Sequence, residues 1–194
     1  MTGISASLLQ AIATYRDTRM VPDAFTRCLD RLQEQGLSLV RDPETSTPGV
    51  RRDAADFIVH YVELALDDHR ISSTEMDHIF ALKRIYSLEE GDILALQKPA
   101  ISELLSQEMM LILADDQVDD TEALLQSDLQ RAFDLGYDDY LQLTRDTLRP
   151  VVEQLLEQAR GKSPQQQHLI IKKLQGLQTV LRINTSTMTA LWTN

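Results

Sequence analysis

The chain contains 194 residues, 43% of them hydrophobic and 25% charged, and has a formal net charge of −11 at pH 7. Its acidity disfavours nucleic acid as a partner, its few aromatic residues argue against an all-β core, and no apolar stretch could span a membrane. Cys28 is the only cysteine, so the chain cannot form an internal disulfide. The N-terminus lacks the pattern of a secretory signal. We therefore expect a cytoplasmic protein.

The first 41 residues predict a helical hairpin. Apolar residues recur at helical spacing in residues 4–19, and Pro22 suits the first turn of a second helix. Cys28 lies within the apolar pattern of that second helix, which predicts a buried structural thiol. Residues 42–52 are rich in proline, glycine and hydroxyl side chains and are predicted to form a linker.

Residues 53–160 predict the main helical domain. Ser72 and Glu75 have the spacing of a capping box, and Ser87 and Glu90 suggest a second box that opens a short helix ended by Pro99. Residues 161–194 predict a basic amphipathic helix and a tail, which could dock on the core or contact a membrane surface. The predicted fold is an all-α bundle of seven to nine helices.

An internal repeat is the most specific feature of the sequence. Residues 68–94 align without a gap with residues 115–141, an offset of 47 positions (115 minus 68). Eight aligned positions are identical, against about two expected by chance for ordinary composition. The pattern predicts a duplicated helix-loop-helix unit.

In each copy an Asp, then Ile or Val three residues later, then Glu four residues further on, lies between two apolar helices. In this the chain resembles the TerB-like (tellurite-resistance) family over about residues 53–158. The resemblance implies an all-helical, pseudo-duplicated fold, divalent-metal binding through loop acids, and a role in bacterial stress-response or conflict systems. The glycine that the family places after the Asp is His69 in one copy and Asp116 in the other.

Carboxylates in the two loops are candidate ligands for calcium or magnesium, because hard cations prefer oxygen ligands. The candidates are Asp68, Glu75, Asp115, Asp116, Asp119 and Glu122. A structural explanation is open as well: Glu75 and Glu122 each follow a helix-capping residue by three positions. Arg84 and Arg131 recur at matching positions and could each pair with the Asp of its own loop. His60, His69 and His78 are nine positions apart and would not share a helix face.

Three functions are consistent with these patterns. The first is a non-enzymatic binding or scaffold module, linked to a metal through the acidic loops. The second is an acidic immunity protein or antitoxin that neutralises a basic toxin, since complementary charge speeds association. The third is a metal-dependent enzyme. The acids expected to contact a protein partner are Asp119, Asp120, Asp138 and Asp139.

Overall fold

The computed structural model describes residues 4–39, 43–68, 70–114, 120–136, 138–140, 142–143, 145, 149–150, 153, 157 and 160–180. For residues 68, 109–114, 120–126, 173–174 and 176–180 it describes the backbone alone. These residues form helices, turns and connections, and none of the described positions is in a β-strand. The prediction of an all-α fold is therefore confirmed.

The chain divides into two compact units. Unit 1 comprises Met1–Ala100 together with Arg131–Leu135, and unit 2 comprises Ile101–Gln130 together with Gly136–Asn194.

Unit 1 begins with two helices that the sequence predicts as a hairpin. Helix α1 spans Ala6–Thr18, where the Ser5 side chain accepts a hydrogen bond from the Leu8 amide. Helix α2 spans Asp23–Gln35 and continues into a 3-10 turn, Gly36–Ser38. At Gly36 the backbone φ is +68°, a conformation that glycine adopts without strain.

Helix α3 spans Pro48–Ala65, so it begins inside the segment 42–52 that the sequence predicts as a linker. The Thr47 side chain caps it by accepting a hydrogen bond from the Val50 amide, and a 3-10 turn, Leu66–Asp68, follows its end. Thr45 in the preceding segment is fully buried. The segment is thus part of unit 1.

Helix α4 spans Ser73–Ile85 and begins at the capping box that the sequence predicts. Glu75 N donates to Ser72 Oγ at 3.3 Å, and Ser72 N donates back to Glu75 Oε2 at 2.9 Å. The box thereby gives hydrogen-bond partners to two backbone amides at the start of the helix, those of Ser72 and Glu75. The prediction of this capping box is confirmed.

The second predicted capping box, at Ser87 and Glu90, is wrong. Ser87 has a φ of +56°, whereas an N-cap residue requires an extended backbone. The amide of Leu88 donates to the Lys83 carbonyl at 2.9 Å, which is the hydrogen bond that closes the end of a helix. Ser87 therefore ends α4 instead of opening the next helix.

Helix α5 spans Asp92–Ala114 and has a kink. Gln97 departs from helical geometry, and Pro99 lacks the amide hydrogen that would continue the ladder there. Helix α6 spans Asp120–Phe133, and helix α7 spans Pro164–Val180. The described positions between 138 and 157 are helical as well.

Aromatic rings fill the core of unit 1. Tyr15 on α1 packs edge-on against Phe57 on α3, with ring centroids 5.2 Å apart, and Phe25 on α2 lies 5.6 Å from Tyr86. Each of these four rings is at most 3% exposed. Cys28 is buried in the same unit, as predicted. The core thus holds α1 and α2 against α3.

In unit 2, the described residues include buried apolar side chains on α5, α6 and α7. Ile101 and Leu105 on α5, Leu129 on α6 and Ile170 on α7 are all at most 8% exposed. On α7 the flanking side chains Leu169 and Ile171 are about half exposed, at 49% and 51%.

Candidate binding site

A cavity of about 500 Å³ lies in unit 1, between the first turns of α1, the last turns of α3 and the first turn of α4. Glu63, Asp67 and Glu75 bring three carboxylates to its wall. The described residues that line it are Ser7, Gln10, Tyr61, Glu63, Leu64, Ala65, Asp67 and Glu75. None of these is a lysine or an arginine, so the charge of the described lining is entirely negative.

The helices place these residues by their spacing. Tyr61 and Ala65 are four positions apart on α3 and therefore share one face of that helix. Both are buried, at 1% and 6% exposure, whereas Glu63 and Asp67 are exposed. The cavity thus has an apolar and hydroxyl-bearing floor and a carboxylate rim.

Two of the lining residues, Ser7 and Tyr61, form a closed ring of hydrogen bonds with Ser5 and His78. Tyr61 Oη lies 2.6 Å from His78 Nδ1 and 3.4 Å from Ser7 Oγ. Ser5 Oγ lies 3.0 Å from Ser7 Oγ and 3.5 Å from His78 Nδ1, which closes the ring. The ring joins α1 to α3 and α4, because each of those helices or its cap contributes at least one member.

Both titratable members of this ring are uncharged at neutral pH, and burial favours the uncharged forms further. It raises the pKa of the Tyr61 hydroxyl to about 12 and lowers the pKa of His78 below its ordinary value of 6.5. Glu75 and Asp77 act in the opposite direction on the pKa of His78 but do not outweigh burial. The ring therefore adds no positive charge to the acidic cavity at neutral pH.

A second buried histidine lies on α3. His60 Nε2 is 3.0 Å from Thr14 Oγ1, and its Nδ1 is 3.9 Å from Glu63 Oε2 on the rim of the cavity. Burial lowers the pKa of His60, although Glu63 acts to raise it. At neutral pH His60 is a hydrogen-bonded core residue and does not neutralise Glu63.

Of the six predicted metal ligands, Glu75 has a described side chain, and it belongs to the cavity wall and the capping box at once. For Asp68 and Glu122 the backbone alone is described. Asp115, Asp116 and Asp119 lie outside the described residues. Within the described part of the chain, no three histidine, cysteine or acidic side chains are grouped so that they could hold a metal ion.

The acids predicted to contact a partner are placed in part. Asp138 and Asp139 are exposed and belong to unit 2. For Asp120, at the start of α6, the backbone alone is described, and Asp119 lies outside the described residues.

The two arginines of the repeat make contacts that were not predicted from the sequence. Arg84 Nη2 donates to the Leu37 carbonyl at 2.6 Å, which connects α4 to the 3-10 turn after α2. The guanidinium of Arg131 lies 5.8 Å from the centre of the Phe80 ring. The predicted pairing of Arg131 with Asp115 concerns a residue outside the described ones.

Ser7, Tyr61, Glu63 and Asp67 were not predicted from the sequence to belong to one site. The ring members are distant along the chain: Ser5 and His78 are separated by 73 positions and Ser7 and Tyr61 by 54. Helical periodicity indicates which face of a helix is buried, but it does not indicate which faces meet. The one local signal was the Ser72–Glu75 capping box at the edge of the cavity.

Protein-family models, curated proteins and solved structures were compared with this chain, and none of them matches. The resemblance to the TerB-like family therefore remains a prediction. No helix in the described part of the chain combines the length and apolar character needed to cross a membrane.

Proposed function

We propose that the protein is a non-enzymatic binding module and that the cavity of unit 1 binds a positively charged side chain of a protein partner. The observation that carries this proposal is the lining of the cavity. Glu63, Asp67 and Glu75 all line it, and none of the described lining residues is a lysine or an arginine.

The floor of the cavity fits the stem of a long basic side chain. Lysine and arginine bury their methylene groups along apolar surfaces while the charged group keeps polar partners. Leu64 and Ala65 supply apolar contact area, and Ser7, Gln10 and Tyr61 supply hydrogen-bonding atoms beside the carboxylates. The net charge of −11 favours rapid association with a basic protein.

We propose in addition that residues 68–94 and residues 115–141 are the two copies of one duplicated segment. Thr74 and Glu75 on α4 align with Thr121 and Glu122 on α6, so both copies are helical at these matching positions. Ser87 and Asp134, also 47 apart, share a left-handed backbone with φ of +56° and +52°. These matches support the duplication, and the role in stress response that the family resemblance implies stays a proposal.

An acidic immunity protein or antitoxin is the second candidate. The exposed carboxylates of Asp138 and Asp139 favour it, because they offer a further acidic surface to a basic toxin. In that case the partner is one basic protein that co-purifies with the chain from its source cell. Binding of calcium or magnesium by the loop acids, and metal-dependent catalysis, are separate hypotheses that a calcium and magnesium titration tests.

The test of the proposed function is an NMR titration of nitrogen-15-labelled protein with N-acetyl-L-argininamide. We expect the amide shifts to change most at residues 61–67 and at Glu75, because the guanidinium enters the cavity there. N-acetyl-L-norleucinamide, which has a similar aliphatic stem without the charge, is the matched control. Shifts that are equal for the two probes, or that lie elsewhere on the protein, would contradict the proposal.

A further inference from the structure

The ring of Ser5, Ser7, Tyr61 and His78 connects a titratable group to the floor of the cavity. Tyr61 lines the cavity and is bonded to His78 at 2.6 Å, whereas His78 lies behind it and is 6% exposed. A change in the hydrogen bond between these two side chains therefore changes the polarity of a residue that lines the cavity. A role for this connection rests on the proposed function, because it requires that the cavity bind a cation.

The direction of the Tyr61–His78 hydrogen bond is set by the chemistry of its two atoms. A phenol hydroxyl is a stronger donor than a neutral imidazole N–H, and an unprotonated imidazole nitrogen is a strong acceptor. In the neutral state Tyr61 Oη therefore donates to His78 Nδ1, and the lone pairs of the phenol oxygen remain available toward Ser7 and the cavity. Because Tyr61 lines the cavity, a phenol oxygen that acts as an acceptor there favours a cation nearby.

We infer that a proton bound by His78 switches this cavity from accepting cations to rejecting them. When Nδ1 takes a proton from solvent, it must donate to Tyr61 Oη and can no longer accept. The Tyr61 hydroxyl hydrogen then turns away from His78, toward Ser7 Oγ at 3.4 Å and the cavity. A donor hydrogen and a buried positive charge thus replace an acceptor at the floor.

The groups that face His78 have opposed effects on this proton. On α4, Glu75 and Asp77 favour the charged imidazole. Tyr61 on α3 remains neutral, and Ser5 and Ser7 contribute hydroxyls at the start of α1. Burial outweighs the two carboxylates and lowers the pKa of His78, so the ring is neutral near pH 7 and titrates in acid. A cation in the cavity opposes the proton further, and by reciprocity the proton opposes the cation.

His60 is the competing explanation for any pH dependence, because it lies 3.9 Å from Glu63 on the rim. Two matched variants separate the two histidines. His78→Asn keeps an oxygen near the position of Nδ1 that can accept from Tyr61 but cannot be protonated near neutral pH. His60→Gln removes the titrating group beside Glu63 and leaves the ring intact.

The experiment measures the Kd of N-acetyl-L-argininamide at about pH 7.5 and about pH 5.0 for the wild type and both variants. We expect the wild type and His60→Gln to bind at least about fivefold more weakly at the lower pH, and His78→Asn to change by less than about twofold. Equal Kd values at both pH values in the wild type, or loss of the pH dependence in His60→Gln instead of His78→Asn, would overturn the inference. Absence of binding at the higher pH would instead overturn the proposed function, and this inference with it.

A second measurement needs no ligand. Nitrogen-15 shifts of the His78 ring, recorded from about pH 7.5 to about pH 5.0, report which nitrogen carries the hydrogen. We expect an unprotonated Nδ1 at the higher pH that gains a proton as the pH falls. A hydrogen on Nδ1 at the higher pH would overturn the inference, because the Tyr61–His78 bond would then keep its direction on protonation.

Discussion

Lys83 and Asp134 form an ion pair, with the lysine Nζ 2.7 Å from the aspartate Oδ2. The Lys83 side chain is only 8% exposed, and its Nζ also donates to the Arg131 carbonyl at 3.2 Å. Burial lowers the pKa of Lys83, whereas the Asp134 carboxylate acts to raise it. The charged lysine therefore depends on Asp134, and the pair fastens α4 to the residues that end α6 within unit 1.

Replacing Asp134 by asparagine should destabilise the protein. Asparagine tolerates the left-handed backbone at this position, so the change removes the charge and little else. We expect the free energy of unfolding to fall by about 1–3 kcal/mol, because a buried ammonium loses its partner. Urea denaturation measures this change.

The exposed pair of Glu157 and Arg160, at 2.9 Å, provides the control for that experiment. Both of its side chains are more than two-thirds exposed, so Glu157→Gln should alter the free energy of unfolding by less than about 0.5 kcal/mol. Equal effects of the two substitutions would mean that the Lys83–Asp134 pair contributes no more than a surface pair.

Two buried tyrosines should respond differently to the loss of a hydroxyl. Tyr61 is bonded to His78 and Ser7, so Tyr61→Phe should lower the free energy of unfolding by about 1 kcal/mol. The Tyr86 hydroxyl has no hydrogen-bond partner among the described residues, so Tyr86→Phe should be neutral or stabilising. Phe133 occupies the position that aligns with Tyr86. Thermal unfolding of both variants checks the contrast, and a larger loss at Tyr86 would contradict it.

The local features of this fold could be predicted from the sequence. The helix start at Ser72 and Glu75 is encoded by a pattern of adjacent residues, and the burial of Cys28 is encoded by helical spacing. The Ser87 box was wrong because the same serine-to-glutamate spacing occurs where a helix ends, and the backbone angle of Ser87 decides between the two. Local patterns do not contain that angle.

The candidate site could not be predicted from local sequence patterns, because it depends on how the helices pack. Tyr61 and His78 are separated by 17 positions, and Lys83 and Asp134 by 51. Such pairs form because the buried faces of different helices meet, and each sequence segment indicates its own face only. Asp115, Asp116 and Asp119, three of the six predicted metal ligands, lie outside the described residues.

The capping box at α4 gives a local test of stability. Ser72→Ala removes the side chain that accepts the Glu75 amide hydrogen, so the free energy of unfolding should fall by about 1 kcal/mol. Ser73 is exposed, lies next to it and is the first residue of the helix, so Ser73→Ala should change stability by less than about 0.5 kcal/mol. Chemical denaturation measures the free energy of unfolding of both variants. Similar decreases in the two would contradict a stabilising role for the capping box.

The two buried histidines predict how stability depends on pH. Burial lowers the pKa of His60 and of His78 in the folded protein, so the unfolded chain binds protons more readily below about pH 6.5. Their contribution is fully present above that pH and is lost as the pH falls through the folded pKa values. The Tm of the wild type should therefore drop on acidification, and that of His60→Gln/His78→Asn should drop less. A parallel drop in both proteins would show that the histidines are not responsible.

The most direct test of the binding site compares the Kd of N-acetyl-L-argininamide for the wild type, Glu63→Gln/Asp67→Asn/Glu75→Gln and Asp138→Asn/Asp139→Asn. Glutamine at position 75 can still complete the capping box, so the fold of the first variant is retained. Each carboxylate near the surface contributes roughly 0.2–1 kcal/mol to a charge contact, so the first variant should bind about tenfold more weakly. The second variant, which loses two exposed acids outside the cavity, should bind like the wild type. A cavity variant that keeps the wild-type Kd would contradict the account.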